Sequence, residues 1–186
     1  MNASSFIFAL LLLLPIASLA ADEKPSLAQN FTHRVTGLFS TNRETALRAA
    51  MARLPEITLV GVDFDHAEAV FRYDPAVAFK GTKPADITKR FDELLRNATH
   101  STLGIAPPVT TPRDKLTRLE IPAAGCDCQA CCLAAYESIY KIDGVAQATV
   151  SFKESRITAL IDPDKTGHTV LEEALKKRGV ELPAKK

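Results

Sequence analysis

The chain has 186 residues, 46% of them hydrophobic and 24% charged, with a formal net charge of +1. A balance so near neutrality excludes the strong positive field by which proteins hold nucleic acid or an anionic membrane. With no tryptophan and 6% aromatic residues, the chain also has little with which to stack on bases.

In chain order, the first feature is a short apolar run, Phe6 to Leu14, followed by Pro15 and small residues. Ser18 and Ala20 have the small side chains that precede a cleavage point, and Asp22, Glu23 and Lys24 open a polar stretch. This pattern predicts a signal peptide over residues 1–20, cut between Ala20 and Ala21. The run falls well short of the ~20 apolar residues needed to span a bilayer, so the mature chain is expected not to span a membrane. Its expected location is the periplasm or the cell exterior, where thiols tend to oxidise.

Residues 31–75 then repeat, without a gap, as residues 119–163 at an offset of 88. Only six of these 45 pairs are identical, among them Gly37 with Gly125 and Asp74-Pro75 with Asp162-Pro163, so the pattern carries more than the identity. Each copy predicts a first strand, Phe31 to Val35 and Leu116 to Ile121. A helix follows, with Leu47, Ala50, Met51 and Leu54 in one copy and Ala135, Ser138, Ile139 and Ile142 in the other at helical spacing. Both copies next switch to period two. Val60, Val62 and Phe64 alternate, then Ala69, Phe71 and Tyr73; the counterparts are Ala148, Val150 and Phe152, then Ile157, Ala159 and Ile161. A second helix is expected over Asp86 to Arg96, with Ile87, Phe91, Leu94 and Leu95 inward. Its counterpart runs over Thr169 to Arg178, with Val170, Leu171, Ala174 and Leu175 inward and Gly179 as C-cap glycine.

With a short closing strand in each, the order is βαββαβ. The fold class is therefore α+β: two ferredoxin-like domains in tandem, each a four-stranded antiparallel sheet with two helices on one face. The expected limits are residues 28–103 for the first, a proline-rich linker over 104–115, and 116–186 for the second.

All four cysteines fall within residues 125–132, GCDCQACC, between the first strand and the first helix of the second copy. Such crowding is unlike a disulfide framework, which spreads its cysteines to close loops. Cys128 and Cys131 form a CxxC across a helix start, where unpaired amides and the helix dipole favour thiolate over thiol. Two such sulfurs can converge on one soft ion, Cu(I), Zn(II), Cd(II), Hg(II) or Pb(II), rather than on Mg or Ca.

The stretch from Leu116 to Leu182 resembles the heavy-metal-associated (HMA) domain, whose members include copper chaperones, periplasmic mercury-binding proteins and the N-terminal modules of metal-exporting ATPases. The family motif GMxCxxC matches Gly125-Cys126-Asp127-Cys128-Gln129-Ala130-Cys131. The resemblance implies metal ligation by Cys128 and Cys131, with the ion itself as partner and a metal-transport protein as donor or recipient. Cys126 replaces the family methionine; it is either a third ligand or a small hydrophobe filling space under the loop. Asp127 stands where zinc-, cadmium- and lead-exporting ATPases have a carboxylate ligand; its other readings are a helix cap or an exposed loop carboxylate. Cys132, on the helix's first turn, is a weaker candidate ligand. Metal identity stays open between Cu(I) and Zn(II), Cd(II) or Hg(II). Val180 stands where family copper chaperones carry Lys or Tyr, which weakens a copper-chaperone assignment. The first copy has Ser40 and Arg43 in place of the two cysteines and is expected not to bind soft metal.

His33, His66, His100 and His168 show no ligand spacing and are expected at the surface. No paired carboxylates and no nucleophile elbow mark a catalytic residue. The leading expectation is a binding or transport protein for a soft metal ion, not an enzyme. The rival is a thiol–disulfide oxidoreductase using the same CxxC, and a third reading is purely structural local disulfides.

Overall fold

The computed structural model describes residues 27–123, 128–151 and 153–183. The proposed signal peptide, Cys126, Asp127 and the expected strand residue Phe152 lie outside the described residues.

The first unit runs β1 (Gln29–Thr36), α1 (Asn42–Met51), β2 (Ile57–Asp63), β3 (Glu68–Tyr73), α2 (Pro75–Ala78), α3 (Ile87–Ala98) and β4 (Gly104–Ala106). Its four strands are all antiparallel in the order β2-β3-β1-β4. The second unit runs β5 (Thr117–Pro122), α4 (Gln129–Ile139), β6 (Val145–Ser151), β7 (Arg156–Ile161) and α5 (His168–Lys177), with strand order β5-β7-β6. β2 and β6, and β3 and β7, begin and end 88 residues apart, so the repeat read from sequence is the repeat in space. No described helix is long and apolar enough to cross a membrane.

Each unit closes its own core. In the first, Phe71, Phe91, Tyr73 and Phe79 pack as a ring cluster, Phe71 and Phe91 edge to face at 4.8 Å between centroids. Phe79 comes from a short insertion around α2 that the second unit lacks. The second core is mainly aliphatic: Ile121, Ile139, Ile157, Ile161, Leu171 and Leu175 are all essentially solvent-free. Each such side chain contributes roughly 1.5–3 kcal/mol of burial free energy.

Five expectations are corrected. The closing strand β4 takes Gly104–Ala106 into the first sheet, so that unit ends after residue 103 and the connector is shorter. The connector is also pinned: Thr111 donates to Asp162 at 2.7 Å, and Arg113 pairs with Asp63 and Glu68. Among the described residues of the second unit the fourth strand is a single bridge residue, Glu181. Pro183, two residues on, has no N–H to extend a ladder. Val60 is 52% exposed rather than inward, because the β2–β3 register shifts between Leu59 and Gly61 and a bulge reverses the alternation. Val170, 47% exposed, lies on the outer side of α5 while Leu171 and Leu175 point in. His33 is 7% exposed, not a surface residue; it shares the inward side of β1 with Val35 and meets the Tyr73 hydroxyl at 2.8 Å.

The two units are joined by more than the connector. Phe39, in the loop before α1, packs into the core of the second unit. Its carbonyl accepts the Val150 amide at 2.8 Å, on the edge strand β6. Arg34 donates to the carbonyls of Val145 and Ala146, also on β6. Gln147, 4% exposed, donates to the carbonyls of Leu38 (3.1 Å) and Phe64 (2.9 Å). Tyr136 on α4 accepts the Gly37 amide at 2.9 Å. An edge strand normally presents unpaired backbone groups; here the first unit covers that of β6.

Candidate metal centre

α4 begins at an extended residue, Cys128, whose sulfur accepts the Cys131 amide at 3.1 Å. A cysteine sulfur thus does the N-capping that a serine or aspartate oxygen usually does. The first helical turn brings Cys131 back toward Cys128, with 5.2 Å between their Cα atoms, and the two are joined as a disulfide. Cys128 is exposed and Cys131 half-buried, both at the positive end of the helix. Opening that bond would leave two sulfurs side by side where helix amides stabilise thiolate.

Cys132 is placed differently. It is 4% exposed and sits among Ala135, Tyr136 and Ile139 on the inward side of α4. Cys126 and Asp127 lie outside the described residues. Among the described residues no group of three or more His, Cys, Asp or Glu is arranged to hold an ion.

At the corresponding place in the first unit, Ser40 donates to Asn42 at 2.5 Å. Arg43 turns inward, reaching the carbonyls of Gly37 (3.2 Å) and Thr102 (3.1 Å) and lying 5.4 Å from the centre of the Phe39 ring. A fixed cation therefore stands where the second unit has Cys131.

The loop of the first unit and the thiol end of the second face each other across a cleft of about 740 Å3. Phe39, Phe64 and Val150 form its apolar side, and Cys128 and Cys132 open onto it. Burial at the junction pushes the Tyr136 hydroxyl up to about 12, so it stays protonated while it accepts from Gly37. Sequence reasoning missed Phe39, Phe64, Tyr136 and Gln147 as parts of this junction. The one available signal was a phenylalanine, Phe39, in a loop position that a single unit leaves at its surface.

No protein-family model and no curated protein matches the chain. Among solved structures, the N-terminal soluble domains of Bacillus subtilis CopA match at 22% identity, covering 84% of this chain and 93% of that one, with a TM-score of 0.34. Oxidized MerP from Ralstonia metallidurans CH34 matches at 24% identity, covering 38% of this chain and 99% of its own, with a TM-score of 0.35. The Cu(I)-loaded N-terminal domain of a potential copper-translocating P-type ATPase from Bacillus subtilis matches at 31% identity over 36% of this chain and 84% of that one, at 0.35. The chain is similar to heavy-metal-associated domains. Its fold assignment rests on its own strand order, βαββαβ in the first unit and the same order in the second as far as the bridge at Glu181.

Proposed function

We propose that this protein binds and carries a soft metal ion, Cu(I) or Zn(II), Cd(II) or Hg(II), through the sulfurs of Cys128 and Cys131. The observation that supports this is their convergence at the start of α4, close enough to be bonded to each other. Sulfurs that can share a bond can also share one ion. A two-coordinate ion is satisfied by the pair alone, whereas tetrahedral zinc needs further donors, for which Cys126, Asp127 and Cys132 are the candidates near in sequence. Cys132, turned into the core, is the weakest candidate. We place the mature protein in the periplasm or outside the cell, after loss of residues 1–20. Its role there is that of a binding protein, not an enzyme, exchanging its ion with a metal-transport protein.

The experiment is an anaerobic titration of the fully reduced chain with Cu(I) and Zn(II) against competing chelators, repeated with Cys128→Ser. One equivalent of tight binding that the variant loses supports the proposal. Equal retention by both proteins ends it. The oxidised chain is expected to bind neither ion until a reductant opens the disulfide, because a sulfur in a disulfide has no thiolate to offer.

The disulfide itself favours a second reading, thiol–disulfide exchange with protein substrates. Catalysed oxidation or reduction of a substrate protein, in the absence of metal binding, would support that reading instead.

A further inference from the structure

The two cysteines of the pair are not equivalent. Cys128 is exposed and opens onto the cleft between the units; Cys131 is half-buried and is not among the cleft's lining residues. At about 740 Å3 the cleft lies within the roughly 300–1,000 Å3 that small-molecule sites occupy. Its lining combines the rings of Phe39 and Phe64 with hydroxyl and amide groups from Ser40 and Asn42. Lys153 stands at its edge and makes no ion pair with a described residue, whereas the neighbouring Glu154 is paired with Arg156. Arg156 is shared with Glu120, so these side chains together are near neutral, but Lys153 is a cation open to a ligand carboxylate. The Asn42 amide nitrogen, whose side-chain oxygen already accepts from Ser40, can donate to a peptide carbonyl.

We propose that this cleft binds a small, carboxylate-bearing peptide thiol, which opens the Cys128–Cys131 disulfide by attacking Cys128. The thiolate of the ligand forms a bond to the Cys128 sulfur, the Cys128–Cys131 bond breaks, and its electron pair leaves with Cys131. The departing thiolate remains at the N-terminal turn of α4, where the helix amides stabilise it. A second molecule of the thiol attacks the ligand sulfur of the mixed disulfide and releases Cys128 as thiolate. Two thiols become one small disulfide, and the protein gains the two electrons that make its dithiol. The first unit, without a ligand set of its own, thereby supplies half of an activation site for the second. The biological meaning of the step rests on the metal-binding reading, since it generates the pair that would hold the ion.

The test uses the full-length mature chain in its oxidised form, with glutathione and 2-mercaptoethanol as probes at equal thiolate concentration. Disulfide opening is followed by acid quenching and mass spectrometry of the mixed disulfide. The expected result is an advantage of about tenfold or more for glutathione, with the adduct on Cys128. In Phe64→Ala and Lys153→Gln, neither of which touches the disulfide, the ratio of the glutathione rate to the 2-mercaptoethanol rate should fall to about threefold or less. Equal rates for the two thiols in the unaltered chain overturn the proposal. So does an adduct on Cys131, or an advantage that survives both substitutions. A metal titration of protein reduced with a phosphine separates the two ideas. If that protein binds metal but glutathione has no advantage, only the cleft proposal fails; if glutathione has its advantage but no metal is bound, only the metal reading fails.

Discussion

Arg43 shows how a single residue can retire a site while preserving its scaffold. It occupies the repeat position of Cys131 and uses its guanidinium to tie the carbonyls of Gly37 and Thr102, closing the loop with hydrogen bonds where the second unit has its cysteine pair. Its positive charge also opposes any cation arriving there. Arg43→Met keeps much of the side-chain stem but strands those carbonyls, and should cost about 1.5–3 kcal/mol. Urea denaturation measures that loss, and the metal stoichiometry of the reduced variant should stay unchanged. His33 gives the first unit a pH dependence. Burial beside Tyr73 holds its imidazole below the ordinary value of 6.5, so the folded chain binds protons less readily than the unfolded one. The resulting stability is fully present above about pH 6.5 and is lost as the pH falls from there through the lowered folded value. Denaturation at about pH 7.5 and about pH 5.5 should show that loss in the unaltered chain. In His33→Phe the acid-dependent part should shrink, even though the Tyr73 hydroxyl is left without its partner.

At the scale of the elements, two glycines with similar backbone angles carry different loads. Gly179 (φ +82°) ends α5: its amide bonds to Lys176 and the Val180 amide to Leu175, the paired bonds of a Schellman cap. A Cβ there meets nothing within 4 Å, so Gly179→Ala should cost only the left-handed backbone penalty, about 1–2 kcal/mol. Gly37 (φ +89°) follows β1, and a Cβ there would lie 2.1 Å from the Thr102 carbonyl oxygen and 3.2 Å from Leu103 Cα, both backbone atoms that cannot swing away. Gly37→Ala should therefore cost well more than the alanine at 179 and should also disturb the bond to Tyr136; parallel denaturant titrations of the two variants test the order. Gly179 was legible as a cap because it follows a helical period and a basic last turn. The hairpins were legible because alternation at period two survives even at low identity between the copies. Val60 was misread because a bulge leaves no mark in the alternation that it breaks. His33 was misread although Phe31, His33 and Val35 alternate along one strand; its residue type outweighed its position. The CxxC was legible as a helix-start pair from its spacing, but spacing gives reach and not oxidation state, so a metal-binding dithiol and a disulfide both stayed open until the structure joined Cys128 to Cys131. The junction was out of reach for another reason: its bonds join residues about a hundred positions apart, one side chain at a time, with no periodicity to announce them.

For the whole molecule, the question is whether the units behave as one body. Units of this size have small cores and marginal stability alone, and the first lends Phe39 to the core of the second. Gln147 is the side chain at which the coupling is best tested. Its amide nitrogen donates to Leu38 and Phe64 of the first unit, while its oxygen accepts the Ala148 amide of its own strand. Leucine fills nearly the same volume but can replace none of these bonds. It would leave two carbonyls and one amide to be satisfied inside the junction, at about 1–3 kcal/mol for each that water cannot reach. That penalty falls on the association of the units rather than on either core, because Gln147 lies on the edge strand and not among the aliphatic side chains behind it. Gln147→Leu should therefore turn one cooperative unfolding transition into two. In native-state hydrogen exchange, the amides of Gly37 and Val150 should lose protection by about tenfold or more, while those of β3 and β7 keep theirs. If both sheets lose protection together, the substitution has damaged a core; if Gly37 and Val150 exchange as before, the units are not coupled through Gln147.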